Sequence, residues 1–100
     1  MNIDQMRQCA PKAMALLKVM ANENRLFILC NLLEGEASVN ELAERVRLGQ
    51  SALSQHLALL RKEGFVQTRK ESQTVYYSLS SPNVKQMMML LKDMYATESA

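Results

Sequence analysis

Apolar residues along the chain follow helical spacing almost throughout and change to alternate spacing once, after Gly64. Ala13, Leu16, Leu17 and Met20 form one stripe, and Pro11 suits the first turn of the helix that carries it. Asn2 to Arg7 is polar and reads as a lead-in. Asn22 is placed to cap a second helix in which Leu26, Leu29, Cys30 and Leu33 share a face, with Gly35 as a left-handed stop. Ser38-Val39-Asn40-Glu41 is a capping box that opens a short third helix through Val46, with Leu42, Ala43 and Val46 inward. After the turn at Leu48-Gly49, Leu53, Leu57 and Leu60 recur at i, i+4 and i+7 in a fourth helix that closes at Gly64. Phe65 to Arg69 and Thr74 to Leu79 then read as two strands, Val75, Tyr77 and Leu79 alternating with Thr74, Tyr76 and Ser78, with Glu71-Ser72 at the hairpin tip. Ser81-Pro82 opens a last helix with Val84, Met87, Met88, Leu91, Met94 and Tyr95 on its apolar side.

This pattern predicts a mainly α fold with a small β-hairpin, a single domain over residues 1–100 in the order α-α-α-α-hairpin-α. A short helix, a tight turn with Gly and a second amphipathic helix make a helix-turn-helix at 38–64. The hairpin at 65–79 follows directly and reads as a wing. The outer helices at 11–21 and 82–96 carry apolar faces on a chain of only 100 residues, whose own core is modest. They read as dimerisation helices, with Leu16, Leu17, Met20, Met87, Leu91 and Met94 in the interface.

The outer face of the fourth helix departs from an ordinary solvated face. Ser51, Ser54, Gln55, Ala58 and Lys62 lie opposite the leucines, without charge over the first two turns. Gln can pair bidentately with adenine, and Ser can bond a base edge or a phosphate. Net charge is only +2, but residues 45–70 hold Arg45, Arg47, Arg61, Lys62, Arg69 and Lys70 against Glu63 alone. Such a basic patch on a near-neutral chain fits a polyanion. Double-stranded DNA is therefore the expected partner. Gln50, Ser51, Ser54 and Gln55 would read bases, Arg61 and Lys62 would close the helix face, and Arg69, Lys70 and Gln73 would touch phosphate or the minor groove. A winged protein-interaction module is the competing reading, and the concentrated positive charge speaks against it.

Other classes find little support. There is no Ser-His-Asp order, Gly-rich phosphate loop or HExxH, so no enzyme is expected. His56 is the single histidine and the third helix has no Cys pair, so neither a metal nor a cofactor is expected. His56 itself reads as a packed, hydrogen-bonded ring. No apolar run reaches membrane-spanning length and no leader is visible, which leads to the expectation of a cytoplasmic, nucleoid-associated protein. The eight methionines read as filling for core and interface. Cys30 reads as a small buried residue on its stripe. Cys30 and Cys9 are also the two candidate redox residues.

The element order, with Gln50-Ser51-Ala52-Leu53-Ser54-Gln55-His56-Leu57 followed by Thr68-Arg69-Lys70-Glu71 and Gln73-Thr74-Val75-Tyr76-Tyr77, resembles the ArsR/SmtB family of winged-helix regulators. Leu16-Leu17-Lys18, Met20-Ala21-Asn22-Glu23 and Arg25-Leu26 extend the likeness to its HlyU-like and NolR-like branch, over roughly residues 12–95. The resemblance implies a homodimer built on the first and last helices that binds an imperfect palindrome near a promoter, as a repressor or anti-repressor. Thiol-sensing members of the branch carry a cysteine in the second helix matched by Cys30, which makes a thiol-responsive repressor the alternative. Their partner thiol follows the tyrosine of the last helix, where this chain has Ala96 after Tyr95. Branch members often have Ser at the position of Gly49, so the cap of the fourth helix is weaker here, at a cost of only a few tenths of a kcal/mol.

Overall fold

The computed structural model describes residues 1–96. Its first helix, α1 (Ile3–Met20), starts well before Pro11, which lies inside it. The reason is local: the Gln5 N–H donates to Asn2 Oδ1 at 2.9 Å, and the Asn2 N–H donates to Gln5 Oε1 at 2.8 Å. This reciprocal cap satisfies two of the N–H groups a helix start leaves open. The helix runs on through Pro11, although Pro11 removes one donor and crowds the preceding turn. Residues 2–7 are thus the capped first turns of α1 and not a lead-in.

Helix α2 (Glu23–Glu34) starts as expected, with Asn22 Oδ1 accepting from the Arg25 N–H at 3.1 Å. Arg25 also donates through Nε to the Val19 carbonyl at 2.6 Å, locking the α1–α2 corner. The inner face of α2 is Ile28, Leu29 and Leu32. Leu26 and Leu33 are half-buried and Cys30 is exposed, so the buried-stripe reading of Cys30 is corrected. Gly35 ends the helix at φ 148, ψ 177, an extended conformation at positive φ that suits glycine, rather than the left-handed helical stop expected.

A two-residue strand, β1 (Ala37–Ser38), precedes α3 (Val39–Val46). Ser38 serves both: its side chain accepts from the Glu41 N–H at 3.2 Å, while its own N–H donates to Glu41 Oε1 at 3.0 Å. Arg47 turns the chain at φ 58, and α4 (Gln50–Lys62) follows with Gly49 as an N-cap that has no side-chain bond to offer. Gly64, at φ 78, leads into β2 (Val66–Glu71) and β3 (Thr74–Leu79). Glu71 pairs with Thr74, so the turn is Ser72-Gln73 and not Glu71-Ser72. Helix α5 (Pro82–Tyr95) is capped by Ser81, which accepts from the Val84 N–H at 3.2 Å.

The hairpin is part of a three-stranded antiparallel sheet in the order β1-β3-β2. Ala37 and Ser38 pair with Tyr77 and Tyr76, and Val66 through Glu71 pair with Leu79 through Thr74. Ile28, Leu29, Leu42, Leu53, Leu57, Leu60 and Val84 are fully buried in one cluster that joins α2, α3, α4 and α5. Phe65 and Val66 bring the base of the sheet into that cluster. Burial of these side chains, at about 1.5–3 kcal/mol each, is what holds α4 against the rest of the fold.

Candidate nucleic-acid interface

Helix α4 is anchored by Leu53, Leu57 and Leu60, none more than 1% exposed. Its opposite face carries Gln50, Ser51, Ser54, Gln55, Ala58, Arg61 and Lys62, every one exposed. Because Gly49 supplies no side-chain cap, the first N–H groups of α4 and the positive end of its dipole face outward beside Gln50 and Ser51. Gln50 is partly committed, since its Nε2 donates to Asn40 Oδ1 at 2.9 Å and ties the start of α4 to the start of α3. The side chain of Gln55, one turn further, makes no hydrogen bond within the described residues. Arg45 bonds Asn31 and Glu41, so it braces α3 against α2.

The wing stands beside this helix. Successive strand residues face opposite sides of a sheet. Val66, buried in the core, fixes which side is inner, so Val66, Thr68 and Lys70 share the inner face and Gln67, Arg69 and Glu71 the outer one. Tyr77, cross-strand from Thr68, lines an open groove with Ser54, Leu57, Ala58, Arg61 and Lys62 of α4. Lys70 is exposed on that helix-facing side of the wing, and Gln73 is exposed at its tip.

Arg69 is placed differently. Its Nε donates to both oxygens of Glu36, at 3.0 and 2.8 Å, its Nη2 donates to Glu36 Oε1, and its Nη1 donates to Glu71 Oε2 at 2.8 Å. The guanidinium lies over the Tyr76 ring, 4.5 Å from the centroid. The bond from Arg69 holds the Glu36 carboxyl below its ordinary pKa, and the two carboxylates push Arg69 further up from its already high value. Arg69 and Lys70, both expected on phosphate, therefore lie on opposite faces of the wing, and the Arg69 donors bond carboxylates.

His56 is half-buried, but its ring makes no hydrogen bond among the described residues, contrary to the satisfied ring expected. Cys9 and Cys30 are both free thiols. They line different grooves, Cys9 with Phe65 and Ser81, and Cys30 with Phe27, Met88 and Tyr95, so the monomer does not bring them together. Among the described residues no group of three or more His, Cys, Asp or Glu gathers to hold a metal. No helix among them is long and apolar enough to cross a membrane.

Of the residues expected to pair two chains, Leu17 and Met94 are exposed, and Leu16, Met87 and Leu91 are half-buried against the core. Met20, at 5% exposure, belongs to the chain's own core. The end of α1 packs into the core cluster, so Met20 is not presented on the outer face beside Leu17. Sequence reasoning missed Ile3, Met6 and Met14 on α1 and Met89 and Leu90 on α5, all large, apolar and exposed. Ile3, Met6, Ala10, Met14 and Leu17 are spaced by threes and fours. That spacing runs through Pro11, so a helix boundary set by the proline alone conceals it.

A model of the bacterial regulatory protein arsR family matches residues 22–68. The transcriptional activator HlyU of Vibrio cholerae is 59% identical over 95 residues, spanning 95% of this chain and 88% of that protein. The solved structure of reduced HlyU from the same species superposes with a TM-score of 0.88 at 58% identity, covering 93% of this chain and 98% of that one. The nodulation protein NolR of Rhizobium meliloti is 46% identical, over 87% of this chain and 71% of its own length. A homodimeric winged helix-turn-helix DNA-binding domain from Mycobacterium bovis superposes with a TM-score of 0.79 at 25% identity, covering 97% of this chain and 90% of that one.

Proposed function

The chain belongs to the arsR family of bacterial regulatory proteins, in its HlyU- and NolR-like branch, and is a DNA-binding transcriptional regulator; on that premise we propose that it binds a palindromic promoter site as a homodimer. The observation that carries the reading is the exposed Gln-Ser face of α4, held by three buried leucines and flanked by Arg61, Lys62 and Lys70. In helix-turn-helix proteins the start of the second helix enters the major groove. Gln50, Ser51, Ser54 and Gln55 would then meet base edges. Arg61, Lys62 and Lys70 would meet phosphate, and Gln73 at the wing tip would reach the neighbouring minor groove.

A second copy is the occupant we assign to the apolar faces of α1 and α5. Ile3, Met6, Met14, Leu17, Met89, Leu90 and Met94 are each between 44% and 67% exposed, and large apolar side chains left open on two helices mark an interaction surface. The homodimeric Mycobacterium bovis domain supports this reading. Two recognition helices would sit about 34 Å apart, one turn of DNA, or a multiple of it. On this reading the helix-turn-helix is 38–64, the wing 65–79, and α1 and α5 are the pairing helices. The regulator would act in the cytoplasm as a repressor or anti-repressor. We expect it to work without a metal or cofactor, and the relatives named above are a transcriptional activator and a nodulation protein.

The test is selection of duplexes from a random library with the purified protein, followed by footprinting of the recovered sequence. A palindrome with half-sites about one turn apart, bound with an affinity that falls steeply with salt, is expected. Recovery of no common sequence would refute the proposal. One observation favours a thiol-responsive variant of it: Cys30 is exposed in an apolar groove between α2 and α5 lined by Phe27, Met88, Leu91 and Tyr95. Equal operator affinity of reduced and polysulfide-treated protein would dismiss that variant.

A further inference from the structure

Arg69 and Lys70 are neighbours in sequence and alike in charge, yet the sheet gives them opposite work. The strand order β1-β3-β2 puts Arg69 on one edge and Glu36, the residue leading into β1, beyond the other. Reaching Glu36 means crossing β3, a span of two strand spacings or about 10 Å. The Arg69 side chain makes that crossing over the ring of Tyr76, its cross-strand partner. It then meets Glu36 through Nε and Nη2 and leaves Nη1 to Glu71. A planar fork stacks on a ring while its edges bond two carboxylates in the plane of the guanidinium, a geometry that a compact ammonium does not offer.

We propose that Arg69 is a positioning residue and not a phosphate ligand: it straps the wing across the sheet to Glu36 and so sets the height of Lys70 and Gln73 over the recognition helix. The strap matters because β1 has only two residues, so the outer half of the hairpin is paired on one side alone. Glu36 is also next to the strand that ends in Ser38, the cap of α3. One ion-pair cluster therefore joins the wing to the first helix of the helix-turn-helix. Two carboxylates around one guanidinium leave this outer face net negative, which repels phosphate and leaves the Lys70 face to receive it. The inference rests on the DNA-binding reading above.

The two roles for Arg69 predict opposite signs. Operator and random-duplex affinities are measured across a salt series for the full-length protein and for Glu36→Gln, Arg69→Lys, Arg69→Ala and Lys70→Ala. As a strap, Arg69 makes Glu36→Gln weaken operator binding several-fold. Arg69→Lys is then no better than Arg69→Ala, and all three keep the wild-type salt slope. Lys70→Ala alone flattens the slope, by about one unit. If Glu36→Gln instead tightens binding and steepens the slope, or if Arg69→Lys restores what Arg69→Ala loses, Arg69 is a phosphate ligand and the proposal is overturned. Hydrogen exchange of the β2–β3 amides without DNA separates this from failure of the DNA reading. Glu36→Gln should speed exchange there while leaving α4 protected, and unchanged exchange would remove the strap even if the protein bound no DNA.

Discussion

Replacing Gln55 with Ala should cost operator affinity and nothing else. Gln55 is exposed on the second turn of α4 and its side chain makes no internal hydrogen bond, so its removal breaks no polar contact in the free protein. Ala is the better helix former, so the fold should be as stable as before or slightly more so. A bidentate pair between Gln and adenine discriminates by about 1–3 kcal/mol. At 1.4 kcal/mol per tenfold, that is a loss of roughly 5- to 150-fold per half-site. Random duplex offers no matched adenine, so affinity for it should stay within experimental error. Because Gln carries no charge, the slope of log affinity against log salt should also stay the same. Fluorescence anisotropy titrations of selected operator and random duplex, each over a salt series, measure all three quantities. Equal losses on both duplexes, or a changed slope, would mean that Gln55 contributes to general binding and that α4 does not read sequence at this position. Gln50→Ala makes a poorer probe, because it also breaks the 2.9 Å bond to Asn40.

Leu17→Glu places a charge in the exposed apolar stripe of α1, and sedimentation should then find an 11.3 kDa species where the unmodified protein sediments at twice that mass. A monomer in both cases would remove the dimer. Ser38→Ala deletes the side-chain half of the α3 capping box and should cost about 1 kcal/mol, lowering Tm by about 4–8 °C without changing the salt slope of DNA binding; an unshifted Tm would count against the cap. Acid should loosen the fold through Glu36 and Glu41, whose carboxyls are held below their ordinary 4.5 by Arg69 and by Ser38 respectively. Since the unfolded chain takes up these protons first, their contribution is complete above about pH 4.5 and is lost as pH falls through the lower folded values. Tm followed from about pH 6 to pH 3 should drop less in Glu36→Gln and Glu41→Gln than in the parent, and equal acid limbs would contradict it.

What could be read directly from the chain was local. Asn22 with Arg25, Ser38 with Glu41, and Ser81 ahead of Pro82 are caps closed within one turn, so their chemistry lies inside a few consecutive residues. Leu53, Leu57 and Leu60 announce the buried side of α4 by spacing alone, and the Gln-Ser face opposite follows from the same period. Tertiary structure decided the rest. Strand β1 is too short to carry a period and exists because Ala37 and Ser38 find Tyr77 and Tyr76. Cys30 and Met20 each lie beside apolar neighbours in sequence, yet packing leaves one exposed and buries the other. Arg69 reads as a twin of Lys70 until the sheet turns the two apart and brings up Glu36 from 33 positions away. Periodicity and capping act within a turn or a strand, whereas burial and ion pairing depend on which distant residues the packed core sets side by side.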